Sequence, residues 1–321
     1  MIEEGKIDYS SPAEKYLPEL AHAKVLVSIE NEVPKFRDPE TKITIKQLLN
    51  HTSGSALFLG HNLLGQYYML LNEMGTEKAK EYPTMWTVLV EDPGSKFVYG
   101  NSTDILGFIV EEVTGKTLDE VMEERICKPV GMNGTKRILS REDYENRAKI
   151  HGSKSQGFPI IQLPVSQEEG KRLLLGGSGL HSTLQSYSLL LATILNGGVA
   201  PKTGERILKE STLDKYLFTP QLEEGIEFEM LPAANPVFNS SPNLMPGTPK
   251  SFSSGLLVNL EDVPGGRKKN SGGWAGLANS YYFVDRTTGI AAIISTQMLP
   301  FGESEFLKVL QPFEEAIYKS L

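Results

Sequence analysis

The sequence of 321 residues predicts an α/β protein, in which an antiparallel sheet flanked by helices is combined with an all-helical subdomain. Two observations predict this class. In the middle of the chain, apolar residues recur at the spacing of an amphipathic helix. Toward the C-terminus, short runs of β-branched and aromatic residues are separated by turn residues, which is typical of neighbouring antiparallel strands.

Helices are predicted first at 59–74 and then at 102–114. Gly115 follows the second of these and is expected to end it, because glycine tolerates the left-handed conformation of a helix C-terminus. The Leu-rich segment 185–195 predicts a further helix, which stops at Asn-Gly-Gly.

Another helix is predicted directly after Gly115. Thr117 and Glu120 have the spacing of a capping box, in which each side chain bonds the backbone of the other residue. Because the residue before a proline avoids the helical conformation, we expect this helix to end before Pro129.

The C-terminal part of the chain predicts an antiparallel sheet. Strand patterns occupy 251–259, 279–285 and 289–296, and the last two are joined by the turn 286–288. Before them, the six prolines and few periodic apolar positions of 219–250 predict a long irregular connection.

A C-terminal helix should cover one face of this sheet. Its apolar stripe consists of Phe306, Leu310, Phe313 and Ile317. Because proline lacks a backbone N–H and its ring clashes with the preceding turn, we expect Pro312 to bend or restart the helix.

Composition and charge exclude several classes of protein. The formal net charge is −8 and the longest basic run is 267–269, so no nucleic-acid partner is predicted. The absence of a signal peptide and of a long apolar run predicts a cytoplasmic protein with no membrane association. The single cysteine, Cys127, excludes an internal disulfide and is expected to be a buried structural thiol. The five histidines lack metal-ligand spacing, so no metal or other cofactor is predicted.

Five blocks of residues, in order, carry a family resemblance. They are 43–54 (Ile-Thr-Ile-Lys-Gln-Leu-Leu-Asn-His-Thr-Ser-Gly), 99–102 (Tyr-Gly-Asn-Ser) with the helix after it, 129–135, 176–183 and 274–279 (Trp-Ala-Gly-Leu-Ala-Asn). Together they resemble the class C β-lactamase superfamily of serine hydrolases and transesterases, and the resemblance covers nearly the whole chain. The esterase and lovastatin-acyltransferase-like branch is most similar, because Trp274-Ala275-Gly276 stands where lactamases have Lys-Thr-Gly.

The resemblance implies a mechanism. In this family a serine on a buried helix attacks an ester, amide or lactam carbonyl, while a lysine one turn later and a tyrosine remove its proton. The acyl-serine is then released to water or to an acceptor alcohol. The resemblance therefore implies a fold like that of serine β-lactamases and penicillin-binding proteins, and a small-molecule ester, thioester or lactam as substrate.

The resemblance also assigns roles to residues. Tyr99 matches the motif tyrosine and would be general base in acylation and general acid toward the leaving group. Asn101 would hydrogen-bond the substrate or the lysine. The Trp-Ala-Gly segment 274–276 would line an edge strand beside the substrate, and the N–H of Leu277 would be one oxyanion donor. The other donor would be the N–H of the serine.

Two histidines in the motifs have a structural interpretation instead. His51 is expected in a turn after a helix, with its ring bonded locally. His181 lies in a Gly-rich bend before a helix. Neither is assigned chemistry, and a Ser-His-Asp arrangement is disfavoured because the sequence has no Gly-x-Ser-x-Gly elbow.

The first motif of the family, Ser-x-x-Lys, is absent from the sequence. The nearest pattern runs from Thr212 to Lys215, in which threonine stands in a polar segment. A tyrosine with an ordinary pKa near 10 is only about 0.1% ionised at pH 7, and the family lowers that pKa with the charge of the lysine. Tyr99 alone is therefore a poor base, and we expect at most residual hydrolysis from the chain as written.

The start of the chain suggests an explanation. The residues from Met1 to Asp8 resemble the end of the helix that carries Ser-x-x-Lys, which places the serine about a dozen residues before Met1. Either the start lies at an internal methionine and in-frame codons upstream encode the motif, or the truncation is real. We favour the first, because loss of that helix and of the strands before it would leave an unpaired sheet edge and an exposed core. In the second case the protein is a pseudoenzyme that binds a small molecule or a partner. No sequence feature positively indicates a third interpretation, a purely structural or interaction module.

These interpretations divide the chain into four parts. Residues 1–40 are expected to hold the remainder of the nucleophile helix and a connection, 41–218 a mainly helical subdomain, 219–250 the Pro-rich loop, and 251–321 the sheet strands and the C-terminal helix. The predicted function is that of a serine hydrolase or acyltransferase, active as a full-length product and inactive as written. The acyl group, the acceptor and the oligomeric state are left open.

Overall fold

The computed structural model describes residues 1–57, 60–161, 175–230 and 235–321. The chain forms two compact units, and each is assembled from separate stretches of sequence. Unit 1 consists of Met1–Leu118, Leu175–Ser178 and Gln221–Asn235, and unit 2 of Asp119–Leu174, Gly179–Pro220 and Pro236–Leu321. The four-part division expected from the sequence stays a prediction.

The helices are α1 (Ile45–Leu49), α2 (Asn62–Met74), α3 (Thr76–Ala79), α4 (Ser102–Thr114), α5 (Leu118–Met122), α6 (Lys128–Val130), α7 (Arg141–Asn146), α8 (Leu184–Leu195), α9 (Glu210–Thr212) and α10 (Ser304–Lys319). The strands are β1 (Lys24–Glu30), β2 (Val33–Arg37), β3 (Val88–Leu89), β4 (Ile150–His151), β5 (Ile160–Ile161), β6 (Lys250–Phe252), β7 (Leu257–Asn259), β8 (Gly272–Gly276), β9 (Ser280–Asp285) and β10 (Ile290–Ser295). Short 3₁₀ helices lie at Ala13–Lys15, Pro18–His22 and Lys154–Gln156, and π-helical turns at Glu123–Cys127 and Leu213–Leu217.

Unit 1 contains a small three-stranded sheet that the sequence analysis did not predict. Its strand order is β2-β1-β3, with β1 antiparallel to β2 and parallel to β3. Helix α4 buries Ile105 and Ile109 in the same apolar core as Leu48 of α1 and Leu89 of β3. This core fixes the start of α4, where the Tyr-Gly-Asn motif lies.

Unit 2 contains the antiparallel sheet that the sequence predicts, with the order β10-β9-β8-β7-β6. Neighbouring residues of a strand point to opposite faces, so β9 contacts a different helix on each side. The ring of Tyr282 lies 5.4 Å from that of Tyr187 in α8, and the ring of Tyr281 lies 5.5 Å from that of Phe306 in α10. The C-terminal helix therefore packs on the sheet as predicted.

The helices α2, α4 and α8 confirm three of the predicted helices. Helix α4 has the predicted bounds, and Gly115 ends it in the left-handed conformation with φ +65°, donating its N–H to Glu111 at 2.8 Å. Helix α2 begins at Asn62, while the predicted start at Leu59 lies outside the described residues.

The predicted end of the next helix is wrong. Helix α5 begins at Leu118 as predicted, but the helical run continues through the π-helical turn Glu123–Cys127 and past Pro129, and ends at Gly131 with φ +81°. In a regular α-helix the ring of Pro129 would clash with the carbonyl four residues earlier. That carbonyl lies in the wider π-helical turn, so the helical run continues without the clash.

Two further expectations for the C-terminal part need correction. Residues 251–259 form two strands instead of one, because Gly255 adopts φ +110° and the hydroxyl of Ser253 accepts a hydrogen bond from the N–H of Leu256 at 3.3 Å, closing a turn between β6 and β7. Helix α10 does not restart at Pro312, whose side chain is exposed, but is continuous from Ser304 to Lys319. The alternative expectation, a bend at Pro312, stays a prediction.

The connection predicted at 219–250 has no helix or strand before Lys250 in its described parts, 219–230 and 235–249. Within the described ranges of the chain, no helix combines the length and the apolar character needed to cross a membrane.

The first residues form hydrogen-bonded turns. The N–H of Lys6 donates to the carbonyl of Met1 at 3.1 Å and that of Gly5 to Ile2 at 3.0 Å, with Gly5 at φ +68°. This pair of bonds is the Schellman pattern found at helix C-termini. The expected remainder of a nucleophile helix stays a prediction.

Candidate active site

Tyr99 lies in unit 1, just before helix α4, and its side chain is half-buried. The centroid of its ring lies 4.5 Å from that of His51, with the two planes tilted by 45°. His51 also contacts Phe97, whose ring lies 4.8 Å from that of Phe228. The proposed proton-transfer residue is therefore packed against a cluster of rings.

The loop that carries His51 follows from local sequence. Helix α1 starts at a capping box between Thr44 and Gln47 and ends at Leu49. Asn50 then accepts hydrogen bonds from the N–H and the hydroxyl of Thr52, at 3.2 and 2.7 Å, which closes an Asx turn. This turn places His51 in the left-handed region at φ +58° and turns its side chain into the interior, where it is 3% exposed.

Burial also fixes the charge of His51. Desolvation lowers the pKa of its imidazole from 6.5 to about 3, so the ring is neutral at physiological pH. A neutral, buried ring is suited to packing against Tyr99, and this agrees with the structural interpretation of His51 from the sequence.

The segment that carries Tyr99 is in close contact with the His51 loop. The N–H of Val98 donates to the carbonyl of His51 at 2.8 Å. A Cβ atom at Gly100 would lie only 2.2 Å from the carbonyl oxygen of Ser55 and 2.7 Å from the Cα of Ala56. Position 100 therefore requires glycine, because both contacts are with backbone.

Three serine hydroxyls join the same two segments. The hydroxyl of Ser102, at the start of α4, lies 2.8 Å from that of Ser53 and 3.1 Å from that of Ser55, and the latter two are 3.0 Å apart. All three side chains are buried. Sequence reasoning missed this cluster. Ser102 is separated from Ser55 by 47 residues and from Ser53 by 49 residues, and no local pattern relates residues so far apart.

Asn101 is also buried, and its side chain donates from Nδ2 to the carbonyl of Met85 at 2.7 Å. This bond fixes the orientation of the amide, so Oδ1 points the other way. Oδ1 is buried and accepts no hydrogen bond from the residues that the structure describes. Leaving a buried acceptor unsatisfied costs roughly 1–3 kcal/mol, so this oxygen is a suitable site for a donor from a ligand or another segment.

The Trp-Ala-Gly motif lies in unit 2 on strand β8. This strand is interior to the sheet, so the expectation of an edge strand is wrong for β8 as a whole. Its register with β7, however, ends at Gly273, whereas Trp274, Ala275 and Gly276 all pair with β9. Among the described residues, the motif therefore has a sheet partner on one side only, because β7 begins at Leu257 and the residues before it form the turn from β6.

Leu277 follows the motif as the first residue of the turn to β9, and its side chain is 50% exposed. Within the described parts of the chain, its N–H takes part in no hydrogen bond. This N–H is therefore available to an acceptor from a ligand, which is the property that an oxyanion donor needs.

The structure brings the predicted residues together in two sets. Tyr99 and Asn101 lie together in unit 1, and the Trp-Ala-Gly segment and Leu277 lie together in unit 2. The roles of these residues stay predictions.

Cys127 is buried, and burial raises the pKa of its thiol, which disfavours a thiolate. Among the described residues, no group of three or more His, Cys, Asp or Glu side chains is arranged to hold a metal ion.

The family model described as "Beta-lactamase" matches residues 1–309, and the chain belongs to this family. It is 28% identical to monacolin J acid methylbutanoyltransferase of Aspergillus terreus, over 99% of this chain and 77% of that protein. It is 26% identical to lovastatin esterase of Penicillium rubens, over 99% of this chain and 80% of that protein. Acyltransferases and an esterase are thus among its relatives, and the predicted family is confirmed.

Solved structures confirm the predicted fold class. Simvastatin synthase (LovD) from Aspergillus terreus, in its LovD6 mutant, matches with a TM-score of 0.83 at 27% identity, covering 99% of this chain and 76% of that one. A penicillin-binding protein homologue from Pyrococcus abyssi shares the fold at a TM-score of 0.57 and 17% identity, covering 98% of this chain and 62% of that one. The chain therefore has the α/β fold of the LovD-like acyltransferases.

Proposed function

We propose that the chain provides the proton-transfer and oxyanion groups of a site that transfers an acyl group from a small-molecule ester or thioester through an acyl-serine. The observation that carries the proposal is the buried Oδ1 of Asn101, which accepts no hydrogen bond from the described residues and lies two positions from Tyr99. In the family pattern this oxygen receives a donor from the lysine of Ser-x-x-Lys or from the substrate.

Each proposed group has one task. Tyr99 removes the proton of the serine hydroxyl as the hydroxyl oxygen bonds to the acyl carbon, and later returns that proton to the leaving alcohol or thiol. The negative charge that develops on the carbonyl oxygen is stabilised by the N–H of Leu277. An alcohol or water then attacks the acyl-serine, and the same proton path runs in reverse.

The relatives support the choice of substrate class. Their names describe transfer of a methylbutanoyl group to monacolin J acid and hydrolysis of lovastatin. We propose a small-molecule acyl substrate for this chain as well, with an alcohol or water as the acceptor.

The buried Oδ1 of Asn101, which accepts no hydrogen bond from the described residues, also suits a second candidate function, in which an acyl compound is bound without transfer of its acyl group. A polypeptide with Tyr99 and Leu277 but without a nucleophile would bind an acyl compound and release it unchanged. In that case the protein is a binding scaffold.

One experiment separates the two functions. The chain is compared with a chimera in which a segment from a relative supplies Ser-x-x-Lys, with the serine about a dozen residues before Met1. We expect the chimera to hydrolyse p-nitrophenyl butanoate and the unextended chain to show only background release of p-nitrophenolate. A chimera in which the motif serine is alanine is the matched control. If the folded chimera is as inactive as that control, the proposal of acyl transfer is wrong and the binding scaffold is favoured.

A further inference from the structure

The turn between β8 and β9 has three residues, since Gly276 pairs with Ser280. Three-residue hairpins place their last residue in the left-handed region, and here Asn279 occupies that position at φ +61°. Asparagine is one of the few residues with a side chain that adopts this conformation readily. Its N–H donates to the carbonyl of Gly276 at 3.0 Å and closes the turn around Leu277.

The side chain of Asn279 is fully buried and uses its whole hydrogen-bonding capacity. Nδ2 donates to the carbonyls of Met298 and Pro300, at 2.9 and 2.8 Å. Oδ1 accepts from the N–H of Gly302 at 2.8 Å and from the hydroxyl of Tyr281 at 3.2 Å. The amide thus connects the β8–β9 turn to the segment between β10 and α10.

The segment between β10 and α10 also holds the backbone of the turn. The carbonyl of Asn279 accepts a hydrogen bond from the N–H of Thr296 at 3.0 Å, and the carbonyl of Ala278 accepts one from the N–H of Met298 at 3.2 Å. Both residues after Leu277 are therefore fixed, although Leu277 itself is half exposed. A simple hairpin turn does not need such extensive support for the residues next to an N–H that makes no hydrogen bond to the described residues.

We propose that Asn279 is a positioning residue that holds the N–H of Leu277 in place for the oxyanion. This inference rests on the proposed function, because it takes Leu277 as the oxyanion donor. A preorganised donor stabilises developing charge better than a mobile one, since no reorganisation is needed during the reaction. The four side-chain bonds of Asn279 supply that preorganisation.

The test variant is Asn279→Gly, because glycine keeps the left-handed backbone and removes all four side-chain bonds. Asn270→Gly is a matched control, since Asn270 also lies in the left-handed region, at φ +63°, but is exposed. Tyr281→Phe is a milder second variant, which removes one bond to Oδ1 and keeps the ring.

The chain is labelled with ¹³C at glycine carbonyls and ¹⁵N at leucine amides, so that NMR detects leucines that follow a glycine. These are Leu180, Leu256 and Leu277, which gives three signals. The first readout is the Leu277 signal of the free protein. We expect it to broaden in Asn279→Gly, while the other two signals stay sharp and the Asn270→Gly spectrum is unchanged. A Leu277 signal as sharp as in the wild type would overturn the proposal.

The second readout is binding of butylphosphonate, a tetrahedral anion, compared with ethyl butanoate, a neutral ester. If Asn279 only stabilises the fold, loss of its side chain should weaken the binding of both ligands equally. If it positions the N–H of Leu277, the loss should weaken only the binding of the anion. We expect the Kd of butylphosphonate to rise at least about tenfold in Asn279→Gly, less in Tyr281→Phe, and not in Asn270→Gly. Equal affinity in Asn279→Gly and wild type would contradict the role of Asn279. If butylphosphonate fails to shift the Leu277 signal of the wild type, the oxyanion role of Leu277 is wrong, and the proposed function fails first.

Discussion

The imidazole of His51 packs against the ring of Tyr99, with the centroids 4.5 Å apart. His51 is 3% exposed, and its backbone lies in the left-handed region at φ +58°. Because burial lowers the pKa of the imidazole to about 3, Tyr99 faces a neutral ring throughout the physiological pH range. His51 therefore supplies no charge to Tyr99, and the proposed proton-transfer role requires a positive charge from another group, which in the family pattern is the lysine.

Replacement of Tyr99 by phenylalanine tests the proton-transfer role in the chimera that carries Ser-x-x-Lys. We expect Tyr99→Phe to lower kcat by roughly 10²–10⁴-fold, the usual contribution of a positioned acid or base. The thermal unfolding midpoint should be unchanged, because the ring and its contact with His51 are kept. His51→Ala is the comparison, and it should act mainly through stability. Full esterase activity in Tyr99→Phe would show that Tyr99 is only a packed aromatic.

The neutral state of His51 predicts a pH dependence of folding. Below pH 6.5 the unfolded chain takes up a proton at His51 that the folded chain does not, until the pH approaches about 3. The contribution of neutral His51 to the free energy of unfolding is therefore fully present above pH 6.5. It is lost as the pH falls, by at most roughly 1.4 kcal/mol per pH unit. The variant His51→Asn, which also tolerates the left-handed conformation, should lose about 2 kcal/mol less than the wild type between pH 7 and pH 5.

Urea unfolding at both pH values measures this difference. Other titrating groups, including His61, whose pKa is also lowered by burial, are shared by the two proteins and cancel in the comparison. If wild type and His51→Asn lose the same free energy of unfolding between pH 7 and pH 5, His51 is not held neutral.

The bounds of a helix could be predicted from the sequence where a strong signal marked its ends. Helix α4 is such a case, because its apolar spacing and the glycine at 115 give the same bounds. The order of the five motifs was equally informative, and it predicted the family and the fold that the comparisons confirm.

Other features depend on contacts that local sequence does not reveal. The π-helical turn before Pro129 overrode the local propensity of proline to end a helix. The turn at Gly255, in contrast, agrees with the local sequence Ser-Ser-Gly, and the prediction of one continuous strand overlooked that signal. The cluster of Ser53, Ser55 and Ser102 depends on tertiary packing, and serines carry no pattern that indicates a partner far along the chain. For this reason the residues that hold Tyr99 in place were missed.

Substitution of Gly100 tests whether that packing is as tight as the distances indicate. In Gly100→Ala the new Cβ would meet backbone atoms of Ser55 at 2.2 and 2.6 Å, and backbone cannot move aside cheaply. We expect a loss of at least about 2 kcal/mol in the free energy of unfolding.

Gly60→Ala is the matched control for this change, since its Cβ would meet only the Cβ of Leu57, at 3.8 Å. Urea titration should show that Gly60→Ala stays within about 1 kcal/mol of the wild type. Equal stability of the two alanine variants would mean that the loop at Ser55 yields easily and does not fix Tyr99.

The central claim is that the chain holds the groups that assist an acyl-serine but does not itself hold that serine. Intact-mass measurement after treatment with a serine-directed fluorophosphonate tests this most directly. We expect no adduct on the polypeptide 1–321, and one adduct per chain on the chimera, located at the serine of Ser-x-x-Lys. A stoichiometric adduct on any serine between residues 1 and 321 would contradict the account, because the chain would then contain its own nucleophile.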